Sequence, residues 1–225
     1  WWYGSLRYNA SDGGFGNFPV KPQYTRLTNR SGKLTYNLSQ NNKVIGYYNY
    51  VFKSQPERFV SKNHIHYSLD EPWDEDFPVG NWKAEYNRVM SQSMFLEART
   101  GVYFYDFYNF NRASNKPLYV DSTTQERFGG TSSNLSHQRR PQFNGSLSYF
   151  KSGWGNSHNL KFGWEIARYE QTRYEYGRGD RDHYLDPTYG GINIEHQLRN
   201  GAPNQVLFTL SPSRSTNYNW TFSTY

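Results

Sequence analysis

The stretch that decides the fold is Gln142 to Ile166, QFNGSLSYFKSGWGNSHNLKFGWEI. In its first half Phe143, Gly145, Leu147 and Tyr149 occupy alternate positions, with Gln142, Asn144, Ser146 and Ser148 between them, a period of two that a β-strand can use and a helix cannot. Lys151 to Ser157 supplies a Gly-containing turn. In the second half Leu160, Phe162, Trp164 and Ile166 take one face, and Asn159, Lys161, Gly163 and Glu165 the other. The stretch therefore reads as one long hairpin, apolar on one face only. That face needs either the core of a soluble sandwich or small barrel, or the hydrocarbon around a membrane barrel.

Composition narrows the choice. Of 225 residues only 35% are hydrophobic, and mean hydropathy is −0.97, low for a soluble protein of this size. Aromatics reach 19%, with 21 Tyr, 15 Phe and 7 Trp against two Met and no Cys. Tyrosine and tryptophan join an apolar body to a polar tip, which suits the aromatic girdles of membrane barrels. The absence of Cys excludes disulfides and thiolate sites. No run of 18 apolar residues exists, so no transmembrane helix is expected. The net charge of +6 is spread over 25 basic and 19 acidic residues without a basic block, which argues against nucleic acid as a partner.

The same alternation recurs along the chain. Trp2, Gly4, Leu6 and Tyr8 predict a first strand. Leu34, Tyr36 and Leu38, then Val44, Gly46, Tyr48, Tyr50 and Phe52, predict a hairpin across Gln40 to Asn42; Trp82, Ala84 and Tyr86, then Met94, Leu96, Ala98, Thr100, Val102 and Phe104, predict another across Arg88 to Gln92. Final extended runs near 205–210 and 218–225 have no evident partner. No segment keeps helical apolar spacing, so the class is all-β, an antiparallel up-and-down meander. Short connections at 40–42, 88–92 and 152–157 alternate with long ones at 11–31, 53–80, 106–137 and 177–204. Such inequality is what a transmembrane barrel has at its two ends, whereas compact domains rarely carry loops of that length.

Other motifs have plain readings. His64 and His66 could be half of a metal site, but no third ligand is placed, and two exposed histidines in an outer loop are the better reading. The cluster Asp70, Glu71, Asp74, Glu75 and Asp76 lacks the ordered spacing of a calcium loop. Arg178-Gly-Asp180 fits a turn. Glu97 and Glu165 could form a glycosidase-type pair, although with Glu85, Arg99 and Lys161 they read better as compensating charges on the polar face of a barrel wall. No catalytic residue, metal or cofactor is assigned, and the chain is not expected to be an enzyme. A soluble carbohydrate-binding β module, or less favourably an all-β hydrolase, is the alternative.

The sequence resembles the TonB-dependent outer-membrane receptors, in particular the group with an N-terminal carboxypeptidase-regulatory-like domain. The likeness lies in Arg139-Arg-Pro-Gln142 leading into Gly145-Ser-Leu-Ser-Tyr-Phe150, then His158-Asn-Leu-Lys-Phe-Gly-Trp-Glu165, with Trp1 to Tyr8 similar to an early barrel strand and Arg199 to Pro203 to a later outer loop. The resemblance implies that residues 1–225 are about eight strands of a 22-stranded transmembrane β-barrel in the outer membrane of a Gram-negative-type bacterium, with no plug domain or TonB-box-like segment in this stretch. Its implied partners are outer-membrane lipid, the plug and remaining strands, and a TonB-type energy-coupling protein. The implied activity is gated uptake of a nutrient, whether small molecule, glycan or peptide. If the tight turns lie at the periplasmic end, the long connections meet at the outer end. There Trp73, Tyr105, Tyr108, Tyr184 and Tyr189 are the aromatic candidates for ligand contact, and Arg112, Arg178 and Arg181 the cationic ones.

Overall fold

The computed structural model describes residues 1–58, 65–66, 69–112, 116–130, 132–153, 157–176, 191–211 and 213–225. Eight strands form one open sheet: β1 (Trp2–Phe15), β2 (Phe18–Ser39), β3 (Asn42–Arg58), β5 (Trp73–Ser91), β6 (Met94–Asn111), β9 (Ser133–Lys151), β10 (His158–Tyr176) and β13 (Ser213–Thr224), adjacent in that order and antiparallel throughout. The remaining short strands, β4 (Ile65–His66), β7 (Leu118–Asp121), β8 (Glu126–Gly129), β11 (Gly191–Arg199) and β12 (Ala202–Ser211), make a second sheet ordered β12-β11-β7-β8-β4. No helix occurs among the described residues.

Register carries the sequence pattern across the whole main sheet. One row of paired residues reads Trp2, Leu34, Gly46, Ala84, Thr100, Phe143, Ile166 and Phe222. The neighbouring row of the opposite parity is polar, with Glu85 opposite Arg99, Arg99 opposite Asn144, and Asn144 opposite Glu165. Because side chains alternate faces, a single slip between any two strands would mix the faces; none occurs in this part of the sheet. In the organising hairpin Phe162 pairs with Leu147 and Lys161 with Ser148, so Trp164 and Lys161 lie on opposite faces as the alternation predicts.

Burial settles which solvent each face meets. Among the described residues the buried apolar side chains are Phe18, Phe110, Leu118, Leu135 and Ala167, whereas Glu71, Glu75, Asp76, Asp106, Asn109 and Asn111 are among the buried polar and charged ones. Meanwhile Trp2 (79%), Leu6 (74%), Phe162 (58%) and Phe222 (68%) stand exposed on the apolar face. A soluble sandwich does the reverse. Each such side chain left in water forgoes roughly 1.5–3 kcal/mol of burial, a loss repeated along the whole apolar face. Hydrocarbon removes that penalty.

Three expectations need correction. Residues 11–31 are not a long connection: β1 and β2 are one hairpin, turning between Phe15 and Phe18, and the connection is short although it lies at the same end as the long ones. The strands also outrun their apolar stretches, β3 reaching Arg58, β5 starting at Trp73, β6 reaching Asn111 and β9 starting at Ser133. Beyond the lipid neither face has an apolar solvent to meet, so pairing continues after alternation has stopped. Pro22 sits where β2 has not yet begun pairing with β3 at Arg26, an edge position that tolerates a missing N–H. The expected partnerless runs are strands as well: β12 pairs with β11, and β13 closes onto β10.

Placing a charge on the apolar face should therefore be costly and on the polar face nearly free. In bilayer-inserted protein Phe162→Arg is expected to destabilise by about 2–4 kcal/mol, the value for a mid-membrane position, and Asn144→Arg by no more than about 0.5 kcal/mol, read from urea unfolding in liposomes. Equal losses for the two variants would refute the assignment of faces.

Candidate ligand-facing end

The polar face of the wall is wired by charge. Arg99 donates from Nε to Glu85 at 3.2 Å and from Nη2 to Glu97 at 2.9 Å, Lys83 meets Glu85 at 3.0 Å, and Ser146 Oγ donates to Glu97 at 3.2 Å. Lys161 lies 3.9 Å from Glu97 and Arg140 3.9 Å from Glu165. Each carboxylate thus faces a cation from its own or a neighbouring strand.

Towards the end that bears the second sheet, the same face turns aromatic and then buries an acid. Phe77 meets Tyr105 edge-on at 4.7 Å and Phe107 edge-on at 5.8 Å. Above them Glu75, only 1% exposed, accepts from Lys53 at 2.6 Å and from Arg58, whose guanidinium lies over the Phe107 ring. At the strand end Glu57 adopts a left-handed backbone (φ 58°), held by Lys21 and by Arg112 through its carboxylate, and by its N–H donating to Asp74 at 3.2 Å. That is where pairing of β3 with β5 slips between Gln55 and Arg58.

The anticipated contact residues are not brought together on one face. Trp73 and Tyr105 lie on the polar face; Trp73 donates its indole N–H to the Ser132 carbonyl at 2.8 Å. Tyr108 lies on the opposite face, stacked on Phe110 at 6.0 Å and edge-on to His137 at 5.6 Å. Arg112 is engaged by Asp74 at 2.6 Å, Glu57 at 3.4 Å and the Leu69 carbonyl at 2.9 Å, so its charge is already answered. Trp73, Tyr105 and Tyr108 sit on strand extensions, not in loops. Arg178, Arg181, Tyr184 and Tyr189 lie outside the described residues, as do His64 and the Arg178-Gly-Asp180 tripeptide. Beside Tyr108, beyond the apolar belt, Asp106 accepts from His137 at 3.0 Å and from both Arg139 Nη atoms; burial opposes its charge, but these donors prevail and hold its carboxyl below the usual range.

The second sheet is what the sequence reading missed. At one edge of it an Asn200-Gly201 hairpin joins β11 and β12, both turn residues at positive φ (52° and 74°), the geometry for which Asn-Gly is favoured. Asp121, at the end of β7, accepts from Gly201 N–H at 2.6 Å and from Thr123 and Thr124 N–H at 2.8 and 3.1 Å. One carboxylate therefore ties two connections together. Across the sheet Phe128, Tyr119 and His196 form a stacked ladder with ring centroids 4.8 Å apart at each step. Val206 pairs with His196 and Phe208 with Ile194, extending this face to the β12 edge.

A hollow of about 430 Å³ lies elsewhere, on the apolar face, where small residues Gly46, Ala84, Ala98 and Thr100 are flanked by Leu34 and Phe143. It opens on the apolar face and lacks the convergent polar groups of a ligand pocket, so the second sheet and the adjoining polar face are the better candidate.

The Asp121 carboxyl is held below its ordinary value first by the Gly201 N–H, then by the Thr123 and Thr124 N–H groups. A depressed carboxyl stabilises the fold above about pH 3.9, and that contribution is lost as pH falls through the lower folded value. Asp121→Asn should accelerate exchange of the Thr123, Thr124 and Gly201 amides at pH 6 by about tenfold, and the wild type should approach the variant once the carboxyl is protonated. Unchanged exchange in the variant would remove Asp121 as the tie.

No family model and no curated protein matches the chain. Among solved structures it is similar to the outer membrane transporter YddB from Escherichia coli, with a TM-score of 0.68 over 99% of this chain at 9% identity. The match spans 29% of the length of that transporter. The chain thus has the fold of one section of an outer-membrane β-barrel wall, all-β and antiparallel.

Proposed function

We propose that this chain is part of the barrel of a TonB-dependent outer-membrane receptor of the group with an N-terminal carboxypeptidase-regulatory-like domain, and that the intact receptor captures a nutrient at its outer end and imports it by gated, energy-coupled uptake. The observation that carries the reading is a wall whose apolar face is continuous over eight strands while its other face is polar and charge-compensated. An open sheet with β1 and β13 at its edges calls for further strands, and the likeness to 29% of a transporter supports their being the rest of a large barrel. The polar face would then surround a plug, and the outer sheet would stand over the entrance. Trp73 and Tyr105, which share the polar face at that end, are the described residues best placed to meet a ligand.

The role is transport, not chemistry. In the source organism, removing the receptor should abolish uptake of one nutrient class, and a protonophore should stop that uptake in the wild type while leaving surface binding intact. Deleting residues 116–130, which carry β7 and β8, should weaken surface binding by tenfold or more with the barrel still assembled and heat-modifiable on a gel. Uptake that continues after the proton gradient is collapsed would mean a passive pore.

A further inference from the structure

The β12 edge of the outer sheet lacks the devices that keep exposed strands from pairing. β12 bonds to β11 on one side, and among the described residues no strand lies on the other. Edge strands are commonly blunted by charge, proline, a bulge or shortness. Ala202–Ser211 contains no Lys, Arg, Asp or Glu, its Pro203 lies near the start, and the irregular pairing is confined to that same end, between Gln197 and Leu198. From Gln205 to Ser211 the register with β11 is unbroken. Val206, Leu207 and Phe208 are exposed at 41%, 37% and 66%, so apolar surface shows on both faces of this edge, and none of the described residues covers it.

An edge of this kind presents a row of main-chain N–H and C=O groups, and only another extended backbone satisfies them in series. A sugar or a small acid cannot. We propose that β12 is a docking edge for an extended peptide, which adds to the outer sheet as a further strand, and that the captured nutrient is accordingly a peptide. This deepens the uptake reading and rests on it. About seven residues of ligand fit, roughly 23 Å at the rise of a β-strand. Alternate side chains on one face of the ligand would lie beside Val206 and Phe208, continuing the row that begins with Phe128, Tyr119 and His196, and so favour apolar residues. On the other face the neighbours are Gln205, Leu207 and Thr209, which accept small polar side chains. Main-chain pairing gives the affinity, and this alternation gives the selectivity.

The test uses the full-length receptor in detergent and, as probe, a synthetic peptide with the β12 sequence NQVLFTLS preceded by two lysines for solubility. Without peptide, the β12 amides that do not bond to β11 should exchange quickly; with saturating peptide they should slow by tenfold or more. Leu207→Lys with Phe208→Lys should weaken binding by at least tenfold while the amides of β11 keep their protection, which shows the sheet still folded. A peptide N-methylated at alternate amides on the docking edge should lose binding. The proposal is overturned if β12 is already as protected as β11 without peptide, because the receptor's own chain then covers it, or if the N-methylated peptide binds equally well, because side-chain adhesion then suffices. Binding with no protonophore-sensitive uptake of the peptide would sink the transport reading and leave the docking edge standing. Uptake of a non-peptide nutrient with no peptide binding would do the opposite.

Discussion

The structure depends on one constraint, that the parity of every main-sheet strand be kept with its neighbour from β1 to β13. Backbone hydrogen bonds are indifferent to a shift of two residues, but a shift of one would carry Arg99 into the row of Phe143 and put Phe143 among the carboxylates. The cost of stranding a charge in hydrocarbon is several times the net worth of a single backbone hydrogen bond. Lipid therefore holds register more firmly than pairing does.

Where lipid ends, a different set of interactions takes over. Beyond the apolar belt the strands are held by ion pairs and aromatic edges: Glu75 under Lys53 and Arg58, Asp106 between His137 and Arg139, Phe77 against Tyr105 and Phe107. Such contacts are specific in direction and individually modest, and they free this end to depart from the regular wall. The left-handed Glu57 marks one departure and Asp121 organises another, each a polar side chain satisfied by partners distant in sequence. The second sheet that results mixes parallel and antiparallel pairs, β11 with β7 and β4 with β8 being parallel, which the meander below it never does.

The wall was legible in the sequence because a two-solvent environment writes itself as alternation, and Phe143 to Tyr149 with Leu160 to Ile166 carried enough of it to place the hairpin and both faces. The extensions were not legible, since Ser133 to Gln138 and Asn109 to Arg112 meet no apolar solvent and have no period to display. Asn200-Gly201 was a readable hairpin signal, but Ile192, Ile194 and Leu198 before it and Val206, Leu207 and Phe208 after it follow no strict alternation. The contact candidates fared according to position. Trp73, Tyr105 and Tyr108 were read as loop residues but lie on β5 and β6, Tyr108 on the face opposite the other two, and Arg112 was read as a cation for an acidic ligand although Asp74, close in space across the β5–β6 pair, already holds it.

The route of the chain from β10 to β13 bears on how the sheet assembles. Every other pair of neighbours in the wall that is joined by a tight turn can zip from that turn outward, whereas β13 must find β10 after an excursion from Tyr176 to Ser213. Closing a longer loop costs only about 0.6 kcal/mol for each doubling of length, and the β11–β12 hairpin, by folding on its own Asn-Gly turn, shortens the stretch that must be closed. A local hairpin thus acts as a tether. The order of events it favours is β9 with β10, then β11 with β12, and β13 last, so of the wall's two edges the β13 edge depends on the longest excursion.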